Sequence, residues 1–116
     1  MDHRWQKSLV EFDALGRLDL RIGRIVESTP VARRHSFSQL VKIDLGWLGM
    51  RQGWLKTHPG NKDLSGRKVI CVVNLPARNR EGVISEVIIL GVADERGGMH
   101  VLSHDAEAAT GTPVVW

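Results

Sequence analysis

The chain is cut into short apolar runs, each stopped by glycine, proline or charge within about 4–8 residues, and this spacing limits it to a sheet of short strands. In FSQLVKIDL, residues Phe37, Gln39, Val41, Ile43 and Leu45 fall on one face, and Gly46 ends the run. KVICVVNL is a β-branched run closed by Pro76, SEVIILGVA is another, and GMHVLS is a further short strand. MRQGWLKT is a weaker strand candidate, and HPGNKDLSG is a turn-rich connection. In LDLRIGRIV, Leu18, Leu20 and Ile22 alternate with Asp19, Arg21 and Gly23, and a glycine inside such a run predicts a bulge or tight bend. Residues 28–36, with Pro30 and the pair Arg33 and Arg34, read as a loop, as does PARNREG. One segment has helical period: in SLVEFDAL, Leu9, Phe12 and Leu15 form a stripe, with Ser8 as N-cap, Glu11 three residues on and Gly16 as stop.

About five strands and one helix, with no repeat or linker, predict an all-β domain over residues 1–116, its core about 12–115. The architecture expected is a five-stranded OB-fold barrel with a short N-terminal helix and short extra C-terminal strands. The longest apolar runs fall far below the roughly 20 residues of a membrane span, so no membrane insertion is expected. MDHRWQKSLVEF has charges on both sides of its few apolar residues, unlike a secretory signal, and the lone Cys71 suits a reducing compartment. A cytoplasmic location follows as an expectation.

Catalysis finds no support. His100 and His104 have a helical metal spacing, but VLS between them reads as strand, which sets them roughly 13 Å apart. His3, His35 and His58 are scattered, Cys71 sits in an apolar run as a buried small hydrophobe, and phosphate-loop motifs are absent. No metal, no cofactor and no enzymatic activity are expected.

Charge is distributed unevenly. Residues 1–80 hold 15 Lys and Arg against 7 Asp and Glu, whereas residues 81–116 hold 1 against 6. Either the fold presents a basic face that attracts phosphate, or the two halves neutralise one another across it. Arg33, Arg34 and His35 lie in one loop, and Arg78 and Arg80 lie in another beside Asn74 and Asn79. In an OB barrel these loops would flank one ligand face, where guanidinium groups contact phosphate and stack on bases. The alternative is that they are solvated loop charges.

The segment NLPARNREGVISEVIIL, together with FDALGRLDLRIGRIVES and ARRHSFSQLVKIDLG, resembles the tRNA-binding OB domains of the chaperone CsaA and of bacterial methionyl- and phenylalanyl-tRNA synthetases. The pattern Asn-Leu-x6-Gly-x2-Ser-Glu with Asp-x-Arg-x-Gly carries the likeness, and the CsaA branch is the nearer. The resemblance implies a non-catalytic, dimeric barrel that binds tRNA by shape and backbone, with unfolded or exported polypeptides as the alternative ligand. By position it implies RNA contacts at Arg33, Arg34, Asn74, Arg78, Arg80, Ser85 and Glu86. Ser85 and Glu86 also have a structural reading, since such a pair can close a loop by hydrogen bonds. Two departures stand out. The synthetase-type His-Pro-x-Ala-Asp-Lys-Leu loop is missing, His58 and Pro59 falling in another loop, and residues 51–68 look shortened.

A homodimer would use the N-terminal helix and C-terminal strand, with Leu9, Phe12, Val114, Val115 and Trp116 as interface candidates. The aromatic set is four Trp, two Phe and no Tyr. Trp5 and Trp116 fit dimer or terminus packing. Phe37, Trp47 and Trp54 are candidates for peptide or stacking contacts, with burial as the alternative.

Overall fold

The computed structural model describes residues 4–33, 36–57, 63–80, 82–96 and 98–116, with backbone alone at 32, 33, 36 and 37. In chain order the elements are α1 (Phe12–Gly16), β1 (Leu20–Arg33), β2 (Ser36–Asp44), a 3-10 turn (Gly46–Leu48), β3 (Met50–Lys56), β4 (Lys68–Val72), β5 (Arg78–Arg80), β6 (Val83–Ser85), β7 (Ile88–Ile89), β8 (Gly91–Ala93) and β9 (Met99–Val101). The main sheet is antiparallel with order β3-β2-β1-β4-β7. It curls until its two edges meet, where the Glu86 N–H donates to the Gln52 carbonyl at 2.7 Å. The result is the expected all-β OB-type barrel, nearly closed, with one short helix and two small hairpins, β5–β6 and β8–β9.

Alternation on β2 puts Gln39, Val41, Ile43 and Leu45 inside, where they meet Ile25, Leu55, Val69, Cys71, Val87 and Ile89 in one core. Gln39 is the polar member, and the Ser28 hydroxyl donates to its Oε1. The thiol of Cys71 is pushed up to about 12 by burial.

Four local expectations are corrected. First, the helix occupies only five residues, Phe12–Gly16, and is preceded by Glu11 with no side-chain cap. Ser8 and Leu9 stay outside it, and Leu9 and Phe12 are 89% and 79% exposed, so the apolar stripe packs on no surface among the described residues. Second, residues 28–33 continue β1 through Pro30, which the ladder tolerates because β4 pairs only with Leu20 to Arg24 and leaves the far edge of β1 open there. Third, the bulge falls between Ile25 and Glu27, not at Gly23. Gly23 is required by packing, since a Cβ there would lie 2.7 Å from Ile43 Cγ2 and 2.9 Å from Leu45 Cδ2. The core-facing side of this run is therefore Gly23 and Ile25, the face that carries Arg21. Fourth, the single strand read in SEVIILGVA is broken into β6, β7 and β8, and PARNREG holds β5.

The edge of β1 left free below β2 is taken by the C-terminal segment. The Ile22 N–H donates to the Thr112 carbonyl at 3.0 Å, and the Gly111 and Val114 N–H groups donate to the Ile22 and Leu20 carbonyls at 2.7 and 2.8 Å. Arg21 fastens this segment: its guanidinium grips both Asp19 carboxylate oxygens at 2.6 and 3.2 Å and donates to the Gly111 carbonyl at 3.0 Å. The Asp19 hydrogen bond, helped by the carboxylate's charge, raises the Arg21 pKa above its ordinary value. Gly46 and Gly111 meet where the segment crosses the 3-10 turn. Both have positive φ, +61° and +88°, and a Cβ on Gly46 would fall on the Thr110 carbonyl.

Candidate nucleic-acid interface

On β3, the inward residues Gly53 and Leu55 alternate with Trp54, whose side chain therefore points to the outer face of the barrel. There the hairpin β5–β6 folds over it. Arg78 pairs with Ser85, Asn79 with Ile84 and Arg80 with Val83, and the Asn79 Oδ1 accepts the Gly82 N–H at 2.9 Å across the turn. Being two apart on one strand, Arg78 and Arg80 project to the same side. Their guanidinium carbons lie 5.2 and 4.4 Å from the centre of the Trp54 ring, within cation–π distance. The indole Nε1–H of Trp54 is buried without a hydrogen-bond acceptor.

Ser85 and Glu86 fix the hairpin in place. The buried Ser85 hydroxyl donates to the Val87 carbonyl at 2.7 Å and accepts the Trp54 N–H at 3.4 Å. The Glu86 carboxylate accepts the Gln52 N–H at 2.9 Å, and the Gln52 side-chain amide donates to the Ile84 carbonyl at 2.7 Å. Asn74 clamps the opening of the barrel in the same manner, accepting the Asp19 N–H and donating to the Arg17 carbonyl, both at 2.8 Å. Of the other residues singled out in the sequence, Arg34 lies outside the described residues, as do the side chains of Arg33 and Phe37. His58 and Pro59 also lie outside them. Trp47 stands on the 3-10 turn and is 95% exposed. Trp5, Val115 and Trp116 are exposed with Leu9 and Phe12, whereas Val114 is half-buried along β1.

Sequence reading passed over Glu27, Lys42 and Gln52, which form a row across β1, β2 and β3 beside Trp54. Lys42 Nζ and Glu27 Oε2 are 3.3 Å apart. Period-two counting along β2 puts Lys42 on the face opposite Val41 and Ile43, but its neighbours across the strands depend on register. Elsewhere, His100 Nε2 meets Asp94 Oδ2 at 2.9 Å, and no group of three or more His, Cys, Asp or Glu among the described residues could hold a metal. No helix among the described residues is long and apolar enough to cross a membrane. Chemically, the outer face offers planar cations, an aromatic ring and a hairpin held rigidly above it. Such a surface suits an anionic polymer with flat, stacking groups.

This arrangement, a nearly closed five-stranded barrel with an arginine hairpin over its outer face, defines a ligand-binding barrel of the OB class. Residues 20–113 match the family described as "Putative tRNA binding domain", and the chain belongs to that family. It is 32% identical over 107 residues to the methionine–tRNA ligase of Methanocaldococcus jannaschii and 33% identical over 109 residues to that of Xanthomonas campestris pv. campestris. These matches cover 90% and 91% of the chain but 16% of each ligase, so the chain spans only a small part of those enzymes. Among solved structures it superposes on the chaperone CsaA of Bacillus anthracis with a TM-score of 0.86 at 29% identity, covering 93% of this chain and all of that one. A MetRS-related protein of Pyrococcus horikoshii, at 21% identity and a TM-score of 0.77, shares the fold.

Proposed function

We propose that this chain is a non-catalytic tRNA-binding module, folded as one domain over residues 1–116, that holds RNA by shape and backbone on the outer face of its barrel. Membership of the tRNA-binding domain family over residues 20–113 carries this reading. Arg78 and Arg80, with Arg33 and Arg34, which lie between Ala32 and His35 in the sequence, supply the phosphate contacts, and Asn74, Ser85 and Glu86 act by holding the binding face in shape. The module works as a cytoplasmic homodimer whose interface is built from Leu9, Phe12, Val114, Val115 and Trp116. Four of these five are exposed in the single chain, which supports a partner surface. Titration with total tRNA at several salt concentrations tests the reading: affinity falls with salt, and replacing Arg78 with Gln reduces the slope of log K against log salt by about 1. Undetectable binding at low salt overturns it. A 12.9 kDa particle in light scattering at micromolar concentration overturns the dimer.

Likeness to CsaA along that whole chain favours a second reading, a groove for unfolded or exported polypeptides. Competition between tRNA and an unfolded polypeptide separates the two: a polypeptide that suffers no competition from tRNA has its own site, and one that fails to bind removes this reading.

A further inference from the structure

Phosphate contacts leave one arrangement on the outer face unused. Leu40 pairs with Thr29 on one side and with Trp54 on the other, so these three side chains stand in a row across β1, β2 and β3. The adjoining row is Glu27, Lys42 and Gln52. Between the rows lies a cleft of about 200 Å³. That is below the roughly 300–1,000 Å³ of sites for drug-sized molecules, and leaves room for a small group only. Across the strands from Leu40, which lines the cleft, the Trp54 ring is covered by Arg80 and Arg78 at 4.4 and 5.2 Å, and its buried N–H lacks an acceptor. Two like charges over one ring repel each other, and among the described residues neither guanidinium has a carboxylate partner.

We propose that Trp54 is the seat of one unpaired nucleobase of the bound RNA, and that Arg78 and Arg80 occupy this seat in the free protein and swing out to phosphates as the base stacks. The proposal rests on the RNA-binding reading. The exchange keeps every group partnered: the ring trades a cation for a base, each guanidinium trades the ring for a phosphate that accepts its N–H fork, and the opened indole N–H gains an acceptor. Lys42 and Glu27, at the far row of the cleft, offer a donor and an acceptor to the edge of the base. An aromatic side chain of a polypeptide could fill the same space, but a neutral peptide backbone gives the two displaced guanidiniums no anion. RNA is favoured for that reason.

The test compares an unstructured oligouridine, an RNA duplex and total tRNA on the full chain. Trp54→Leu is expected to weaken oligouridine binding by about 5- to 150-fold, the range of one base–aromatic stack, and Trp54→Phe by only a few-fold. Neither should change the salt slope, because no phosphate contact is removed. A version in which Trp5, Trp47 and Trp116 are replaced by Phe leaves Trp54 as sole emitter; its fluorescence should be quenched by saturating oligouridine and not by duplex. This measurement decides the matter even if Trp54→Leu fails to fold. Unchanged affinity in Trp54→Leu, or an unquenched Trp54 at saturation, overturns the base seat while leaving tRNA binding standing. Absence of binding to both tRNA and oligouridine overturns both.

Discussion

Replacing Ser85 with Ala separates a residue that builds the binding face from one that touches the ligand. Ser85 is 2% exposed, and its hydroxyl donates at 2.7 Å to the carbonyl of Val87, itself a buried residue, and accepts the Trp54 N–H at 3.4 Å. The second bond is long and contributes little. Loss of the first leaves a buried carbonyl unpartnered, at a cost of roughly 1–3 kcal/mol, and about 2 kcal/mol is a reasonable centre. With an unfolding entropy of about 2 cal/mol/K per residue over 116 residues, Ser85→Ala lowers Tm by about 8 °C. Calorimetry measures that shift, and a tRNA titration well below the new midpoint measures affinity. Affinity should stay within about twofold, because β5 and β6 remain paired and Glu86 still binds Gln52. The reasoning is refuted if Tm is unchanged while affinity falls tenfold, since the hydroxyl would then face the RNA.

Three further outcomes are expected. Cys71, with its thiol pushed up to about 12 by burial, stays protonated and unreactive toward iodoacetamide at pH 8 until the protein unfolds. Because the folded pKa is raised from 9.0, the unfolded state loses this proton first; stability from this group is full below about pH 9 and is lost as pH rises toward 12, which denaturant midpoints across that range would record. Gly46→Ala should destabilise by clearly more than Gly66→Ala. Both positions have positive φ, costing about 1–2 kcal/mol, but only at Gly46 would the new Cβ meet backbone, at Thr110; equal midpoints in denaturant would exclude the close approach. Arg21→Ala should free the C-terminal segment, seen as faster hydrogen exchange at the Ile22, Gly111 and Val114 amides with little change at Val41.

The strands that fill the core were legible because burial imposes a period of two: Gln39, Val41, Ile43 and Leu45 all face inward, as their spacing requires. Elements were misread where tertiary structure decides. Leu9 and Phe12 have helical spacing, but no surface among the described residues meets them, and a segment that short does not hold a helix unaided. Arg78 to Arg80 has neither apolar period nor length, and becomes a strand because Ser85, Glu86 and Gln52 fasten its partner to β3. Pro30 suggested a loop, yet an open edge lets β1 run through it. The stack of Trp54 under two arginines joins residues 24 and 26 positions apart, and no local pattern announces it.

The residues that carry the family likeness spend their polar atoms inside the chain. Asp19 and Arg21 grip each other and the C-terminal segment, Gly23 makes room for Ile43 and Leu45, Asn74 ties the start of β1, and Ser85 and Glu86 tie the hairpin to β3. The motif therefore specifies a barrel with a hairpin held over its outer face, and leaves what that face presents to other positions. Trp54, Lys42, Arg78 and Arg80 bear no such structural duty: within the barrel they hold one another or Glu27, through contacts that an incoming polyanion can replace. Two proteins can thus share the motif and the fold while differing in ligand. If the outer face binds RNA as proposed, affinity and salt dependence follow its residues, whereas damage to the motif lowers stability first and binding only as a consequence.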